Sequence, residues 1–346
     1  MKKLIILILC AAFMLTLFAC SGEKILVGVS MPTDDSADRW LNEGELIKKG
    51  LEKSGYKVDL QYSDNTFATQ MMQIESMIKA GAKAIVITAV DSNTLKTVLE
   101  EAAKAEVFII LHDRIINEVL HITAYSTFNH MYVGALQAAY IIAALELETT
   151  DGKFNMEIFS GPTYDPNAYQ IYGGAVSIFG QYMASGALNI VSGQSEYIDT
   201  VIADWSRQGA YDRMKNLLAN EYKDKDIHAV FAASDELAAG VIDALDEAGR
   251  AYPIIITGQG VDASAVKNII DGKQTMTVFK DPKALAERTV ILTDQILSGK
   301  EVETTTVSNN GAKAIPTYET LLSIVDHVSY KEVLIDSGLY KESDFK

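Results

Sequence analysis

Cysteine is nearly absent from this sequence: its two copies, Cys10 and Cys20, both fall within the first 20 of 346 residues. The body beyond them has no thiol, which excludes structural disulfides, thiolate catalysis and cysteine-ligated metals there. Positive charge is also scarce, with 30 Lys and Arg against 46 Asp and Glu, a formal net charge of -16 and no basic run anywhere. A polyanion needs a basic face that releases counterions, so nucleic acid is excluded as a partner and an uncharged or cationic ligand is expected. Proline is limited to 6 residues, and no Pro/Ser-rich linker or solenoid repeat interrupts the chain. Catalytic signatures are missing too: there is no Gly-x-Ser-x-Gly elbow, no Walker A pattern and no His-Glu-x-x-His. Gly258-Gln259-Gly260 is too short a match to a dinucleotide loop. His112, His121, His130, His228 and His327 have no ligand spacing on one helix, so no metal and no cofactor are expected. The acid runs Asp34-Asp35 and Glu100-Glu101 read as solvated faces.

What is present begins with a leader. Met1-Lys2-Lys3 is a cationic start, and Leu4 to Phe18 is an uncharged apolar stretch too short for a comfortable membrane span of about 20 residues. Without residues 1–19 the charge becomes -18. The stretch ends in Leu17-Phe18-Ala19-Cys20-Ser21-Gly22, which resembles the lipobox of bacterial lipoproteins and makes Cys20 the expected lipidation site. An uncleaved anchor or ordinary signal with an incidental cysteine is the other reading. Either one puts the rest of the chain outside the cytoplasmic membrane, and a lipid on Cys20 would tether it to that surface.

Apolar residues make up 48% and charged residues 22%, a balance that suits a folded α/β chain long enough for two domains. Apolar, β-branched runs alternate with amphipathic stretches, the signature of βαβ units in a parallel sheet. Residues 25–31, 58–62, 84–90, 107–112 and 123–128 form one set of strands; residues 156–160, 190–194, 229–234, 254–259 and 275–279 form another. Helical patterns fill the gaps, as over Thr69 to Gly81, where Met72, Ile74, Met77 and Ile78 make a stripe before a glycine stop. Ten strands are too many for one simple sheet, so two lobes of five or six strands each are expected.

In an open parallel sheet the ligand site lies at the carboxyl ends of the strands. The residues there are polar and aromatic: Asp38-Arg39-Trp40, Asp64-Asn65, Asp91-Ser92-Asn93 and His112-Asp113-Arg114 in the first set. Tyr164-Asp165-Pro166-Asn167, Asp204-Trp205, Ser234-Asp235-Glu236 and Gly258-Gln259-Gly260 follow in the second. Carboxylates, amides and guanidiniums pair with hydroxyls that both donate and accept, and indoles cover C–H faces, so the set suits a small polyol such as a sugar.

Collinear stretches carry a family resemblance over about Ile25 to Phe345. They are Val29-Ser30-Met31-Pro32-Thr33 with Asp38-Arg39-Trp40, Gln73 to Ile78, His112-Asp113-Arg114, Ser126-Thr127-Phe128-Asn129, Asp165-Pro166-Asn167-Ala168, Gly258-Gln259, Thr275 to Lys280 and Gly338 to Glu342. In these the chain resembles the bacterial extracytoplasmic sugar-binding receptors of the xylose and multiple-sugar type. The resemblance implies a type I periplasmic-binding fold, two Rossmann-like lobes joined by three crossings, capturing a monosaccharide of the xylose, glucose or galactose class. Delivery to an ABC permease is implied, or presentation to a sensor kinase or chemoreceptor, by a monomer. Arg39 and Arg114 would donate to ring hydroxyls, and Trp40 and Trp205 would stack or form walls. Asp113 would orient Arg114 or touch the sugar. Asn129, Asp165 and Asn167 would grip it, Lys280 would reach in from a hinge strand, and Asp235 would contact the ligand or hold its neighbours.

The implied lobes are 20–129 plus about 281–305, and 130–280 plus about 306–346, with hinges near Phe128–Asn129, Thr277–Lys280 and Thr305–Asn309. The chain also departs from its family. Gly258-Gln259-Gly260 stands where Gly-Gln-Asp is usual, with Asp262 as a substitute through a shifted loop. His112 replaces a Tyr, Asn129-His130 replaces Asp-Asn, and Pro166-Asn167 replaces Asn-Asn. Two rival readings fall away. A repressor core would carry a helix-turn-helix head, and a glycosidase needs facing carboxylates about 5 to 9.5 Å apart, one of raised pKa. Asp113 and Asp235 are the pair on offer, and Arg114 beside Asp113 would depress its pKa.

Overall fold

Residues of one strand alternate between the two faces of a sheet, and in this chain both faces are apolar. In β3 (Ala84–Ile87), Ala84 and Val86 enter one core with Val27, Val29, Ile47 and Leu51, while Ile85 and Ile87 enter another with Ile74, Met77, Ile109 and Leu111. The computed structural model describes residues 24–32 and 38–345; the leader with Cys20 and the acid run Asp34-Asp35 lie outside the described residues.

Around β3 the chain winds as β1 (Leu26–Met31), α1 (Asp38–Lys53), β2 (Lys57–Tyr62), α2 (Phe67–Lys79), then α3 (Lys96–Lys104), β4 (Phe108–His112) and β5 (Ala124–Phe128). A second sheet follows with α4 (His130–Ala144), β6 (Phe154–Phe159), α5 (Pro166–Ser185), β7 (Leu188–Ile190), α6 (Arg207–Asn220), β8 (Ala229–Ala232), α7 (Asp235–Glu247) and β9 (Ile255–Ile256). Its strand order is β7-β6-β8-β9, all parallel, over a core that includes Phe159, Phe179, Tyr222 and Phe231. The chain closes with α8 (Ala263–Ile270), β10 (Met276–Lys280), α9 (Pro282–Leu297), β11 (Thr306–Asn309), β12 (Ala314–Thr320) and β13 (Leu322–Asp326).

Three passages join the halves. The chain leaves β5 at Phe128 for α4, leaves β10 at Lys280 for α9, whose Ala286 and Ile296 join the core of α1 and β1, and leaves β12 through Leu321 for β13. The third passage differs from the expected one. Thr305–Asn309 was expected to cross and the residues past about 306 to belong to the second lobe. Instead β11 pairs antiparallel with β12, and β12 pairs parallel with β5, giving a seven-stranded first sheet ordered β11-β12-β5-β4-β3-β1-β2. The cause is local: Asn310 Oδ1 accepts from Ala312 N and Lys313 N at 3.1 and 2.9 Å and Gly311 takes φ 90°, which folds a hairpin back along the same edge. Among the described residues the two main sheets hold seven and four strands, and β10 pairs antiparallel with β13 while bridging the edge of the second sheet in parallel between Val278 and Gln259.

Helices α4 and α5 pack tightly through two glycines that face one another's backbones. A Cβ on Gly134 would run into the carbonyl of Ile171, and one on Gly174 into the carbonyl of Met131. Overpacking a rigid contact costs about 1–3 kcal/mol or more because neither backbone can give. Gly134→Ala and Gly174→Ala are each expected to lower the thermal midpoint by several degrees, whereas Gly173→Ala, which has open space around it, is expected to leave it unchanged or raise it.

Candidate functional site

The segment after β4 meets the segment after β6 across a cleft, Arg114 against Asp165 and Asp113 against Asn167. From the first half come Arg39 and Trp40, in the first turn of α1, and Asp113 and Arg114, directly after β4. From the second come Asp165, Asn167 and Trp205.

Asp113 stands in the left-handed region at φ 61°, unusual for a residue other than glycine. Its backbone is held on every side: its N–H donates to Ser126 O at 2.8 Å, and its carbonyl accepts from Tyr125 Oη at 2.6 Å and Thr127 Oγ1 at 3.0 Å. That clamp aims the carboxylate across the cleft, where Oδ1 accepts from Asn167 Nδ2 at 2.7 Å and Oδ2 from Arg39 Nη2. Burial pushes the Asp113 carboxyl up, but Arg39, Lys280 and nearby imidazoles outweigh it and hold it well below the usual carboxylate range.

Asp165 does two jobs. Oδ1 caps α5 by accepting from Asn167 N at 3.0 Å, with Pro166 at the first helical position. Oδ2 accepts from Arg114 Nη2 at 3.2 Å across the cleft and from Trp205 Nε1 at 3.3 Å. Trp205 and Asp204 are also left-handed, at φ 54° and 55°, and the indole lies over Gly161, where any Cβ would strike the ring. Arg114 further donates to Ala89 O at 3.2 Å. Trp40 is 5% exposed and lies under both arginines, whose guanidinium carbons sit 4.2 Å (Arg39) and 5.2 Å (Arg114) from its ring centre. It is a floor beneath the cations, not an open plate.

Lys280 ends β10 at the second passage, buried, with Nζ 5.7 Å from the Phe128 ring centre. Burial and the Arg39 guanidinium push its amine down to about 8, against the pull of Asp113 and Asp165. His130, missed in the sequence reading as a site residue, is held neutral, its pKa pushed down to about 3 by burial and Lys280. Its Nε2 approach of 3.7 Å to Asp113 Oδ1 is therefore not an ion pair. Glu43 was missed as well. It accepts from Arg39 Nε at 2.7 Å one helical turn away, an i, i+4 spacing that was available as a signal.

Asn129 and Asp235, the second expected to contact the ligand or hold its neighbours, make their contacts within the protein. Asn129 caps α4 by accepting from Tyr132 N at 2.9 Å and donates to Glu319 at 3.1 Å, bracing the first passage against β12. Asp235 is buried and accepts from Val261 N, Asp262 N, Gln274 Nε2 and Thr277 Oγ1, so its carboxylate shapes its own lobe's 258–262 loop. Asp262 lies exposed at the start of α8, with Oδ1 3.9 Å from where a Cβ on Gly260 would sit.

Among the described residues, the buried polar atoms at the cleft without a hydrogen-bond partner include Arg114 Nε, a donor from one side, and Asn167 Oδ1, an acceptor from the other, with His130 Nδ1 beside Asp113. Buried polar groups are rarely left so without a reason. Among the described residues no group of three or more His, Cys, Asp or Glu is arranged to hold a metal ion, and no helix is long and apolar enough to cross a membrane.

Residues 27–301 match the model of the periplasmic binding protein domain. A multiple sugar-binding periplasmic protein of Azospirillum brasilense is 38% identical over 94% of this chain and 92% of its own length. The D-xylose-binding periplasmic protein of Escherichia coli is 31% identical over 99% of each. Among solved structures, an ABC transporter solute-binding protein from Clostridium phytofermentans with bound β-D-glucose superposes with a TM-score of 0.88 at 40% identity, covering 93% of this chain and all of that one. With parallel sheets in two halves, three passages between them and relatives along nearly its whole length, the chain has the type I fold of the periplasmic binding proteins and belongs to that family.

Proposed function

We propose that this chain captures a monosaccharide of the xylose, glucose or galactose class between its two lobes and delivers it to an ABC permease, without catalysing a reaction. The first lobe is then the seven-stranded sheet with its helices, residues 24–128 and about 282–320, and the second is residues 130–280 and 322–345. The chain works outside the cytoplasmic membrane as a monomer tethered through lipid on Cys20.

The observation that carries this reading is the pair of unpartnered atoms, Arg114 Nε and Asn167 Oδ1, on opposite lobes within a set of charged groups. A sugar hydroxyl donates and accepts at once, so one small polyol supplies both missing partners, with hydrogen bonds to charged groups worth ~1.5–3 kcal/mol each. Relatives named for binding xylose and several sugars, and a neighbour holding glucose, point the same way. The acid–base requirement of a glycosidase counts against the enzyme reading. Asp113 is held ionised by Arg39 and Lys280, while the raised carboxyl of Asp235 is enclosed by four donors of its own lobe.

Closure on a sugar joins hydroxyls to both lobes, and the ligand shifts the open–closed balance by its differential affinity for the closed form. Both tryptophans of the chain line this cleft, so closure has an optical reporter. Calorimetry and intrinsic fluorescence against xylose, glucose, galactose, arabinose and ribose test the reading directly. At least one is expected to give heat and a fluorescence change, and silence with all five would sink it.

Arg114→Ala removes one of the two bonds across the cleft and leaves Asp165 buried with only Trp205 and its own helix, so affinity is expected to fall by ~2–4 kcal/mol, read by calorimetry. An unchanged affinity would move the pocket elsewhere. Lys280 gives the reading a pH signature. A hydroxyl held by the ammonium raises that group's pKa from about 8, so affinity is full below that value and lost as pH rises through it, by up to about tenfold per unit. Titrations between pH 6.5 and 9.5 should show this decline in the unaltered chain and a flat profile in Lys280→Met.

A further inference from the structure

The cleft arginine Arg39 is held from behind by a chain of buried groups that no proposed ligand contact uses. Its Nε donates to Glu43 Oε1 at 2.7 Å, and Glu43 Oε2 lies 2.6 Å from His112 Nε2. His112 Nδ1 lies 2.7 Å from Thr289 Oγ1, and that hydroxyl also reaches the carbonyl of Leu285 at 3.0 Å in α9. Glu43, His112 and Thr289 are all 0% exposed, whereas Arg39 keeps about a third (34%) of its side chain in solvent.

Burial pushes the Glu43 carboxyl up, but Arg39 and His112 more than offset this and leave it below the usual carboxylate range. An ionised carboxylate only accepts, so Nε2–H of His112 donates to it, and Nδ1 faces the Thr289 hydroxyl. The charged or titratable neighbours of Glu43 are Arg39 on its own helix and His112 and Asp113 at the end of β4, with Lys280 further off. Burying such a set does little for stability compared with an apolar core of the same shape, so its retention calls for another explanation.

Geometry supplies one. Arg39 is a long side chain at the edge of a cleft, free in principle to swing into solvent. Glu43 takes Nε and Asp113 takes Nη2, which fixes the plane of the guanidinium and leaves the rest of the fork for a ligand. The His112 ring holds the second oxygen of Glu43. We propose that Glu43 and His112 are positioning residues for sugar binding: Glu43 holds Arg39 in its ligand-facing orientation, and His112, braced by Thr289, holds Glu43. The proposal rests on the sugar-binding reading.

The test is a double-mutant cycle on the full chain, titrated by calorimetry with D-glucose, D-xylose and D-galactose. Glu43→Gln is expected to weaken binding at least about tenfold, the equivalent of one lost charge-assisted hydrogen bond. If Glu43 acts through Arg39, adding Glu43→Gln to Arg39→Ala should change affinity by less than about twofold. General loosening of the lobe would instead persist in that background. Wild-type affinity in Glu43→Gln, or a double variant that loses the product of the single factors, overturns the proposal. Should Glu43→Gln not fold, Thr289→Val removes only the outermost link. It is expected to weaken binding severalfold in the unaltered chain and not at all beside Arg39→Ala, and equal losses in both backgrounds overturn the proposal. An unaltered chain that gives no heat with any of the three sugars overturns the sugar reading itself, whereas heat in the unaltered chain with an indifferent Glu43→Gln overturns this inference alone.

Discussion

Two bonds cross the cleft, from Arg114 to Asp165 and from Asn167 to Asp113, and the site depends on them. Charges in a nearly dry interface are expensive unless each finds a partner, and here the partners are divided between the lobes. Neither half alone satisfies its own groups. Separating the lobes would leave Arg114 without Asp165 and Asp113 without Asn167, so water or a ligand would have to take their places. The same division that makes the closed form costly to assemble makes it responsive to a molecule rich in hydroxyls.

The backbone around these bonds is correspondingly constrained. Asp113, Asp204 and Trp205 all adopt left-handed angles that a side chain ordinarily avoids, and each lies at the cleft. Asp113 is kept there by Tyr125, Thr127 and the Ser126 carbonyl, Trp205 by Asp165 and the room left at Gly161. Val261, a β-branched residue at φ 69°, is a fourth case, fixed by Asp235 through its N–H and by Tyr340 through its carbonyl. Strain of this kind persists only where the surroundings over-determine it, and here they do so through neighbouring strands for Asp113, a helix cap for Trp205, and a helix start and the C-terminal segment for Val261.

Much of this was legible in the sequence because parallel strands buried on both faces read as short apolar runs. Residues 84–87 and 108–112 declare themselves, and the polar residues following them fall where a parallel sheet puts its ligands. What was not legible had physical causes. α1 is a helix over Asp38–Lys53, but its buried apolar side is a narrow line through Trp40, Ile47 and Leu51 in a polar segment, so its apolar period is weak in the sequence. Glu43 was hidden with it. The third passage was misplaced because Thr306–Asn309 has the β-branched character of a strand, and a strand on the edge of the first sheet reads like one leaving it. Asn310-Gly311 was the available turn signal. Asn129 and Asp235 look like ligand groups by type, and only their backbone partners reveal that one caps a helix and the other shapes a loop.

The loop over Asp235 also bears on Gly260, where the family resemblance leads to the expectation of a carboxylate. If a side chain alone were at issue, the backbone should accept any residue. It does not: Gly260 takes φ 133°, a conformation that L residues rarely adopt, and its N–H is fixed to Val278 O at 3.1 Å. The next residue is held left-handed by Asp235, and a side chain on Gly260 would start 3.4 Å from that same carboxylate. An Asp placed there would meet both backbone strain and a like charge. Glycine at this position therefore belongs to the whole 258–262 segment, whose shape Asp235 sets from beneath.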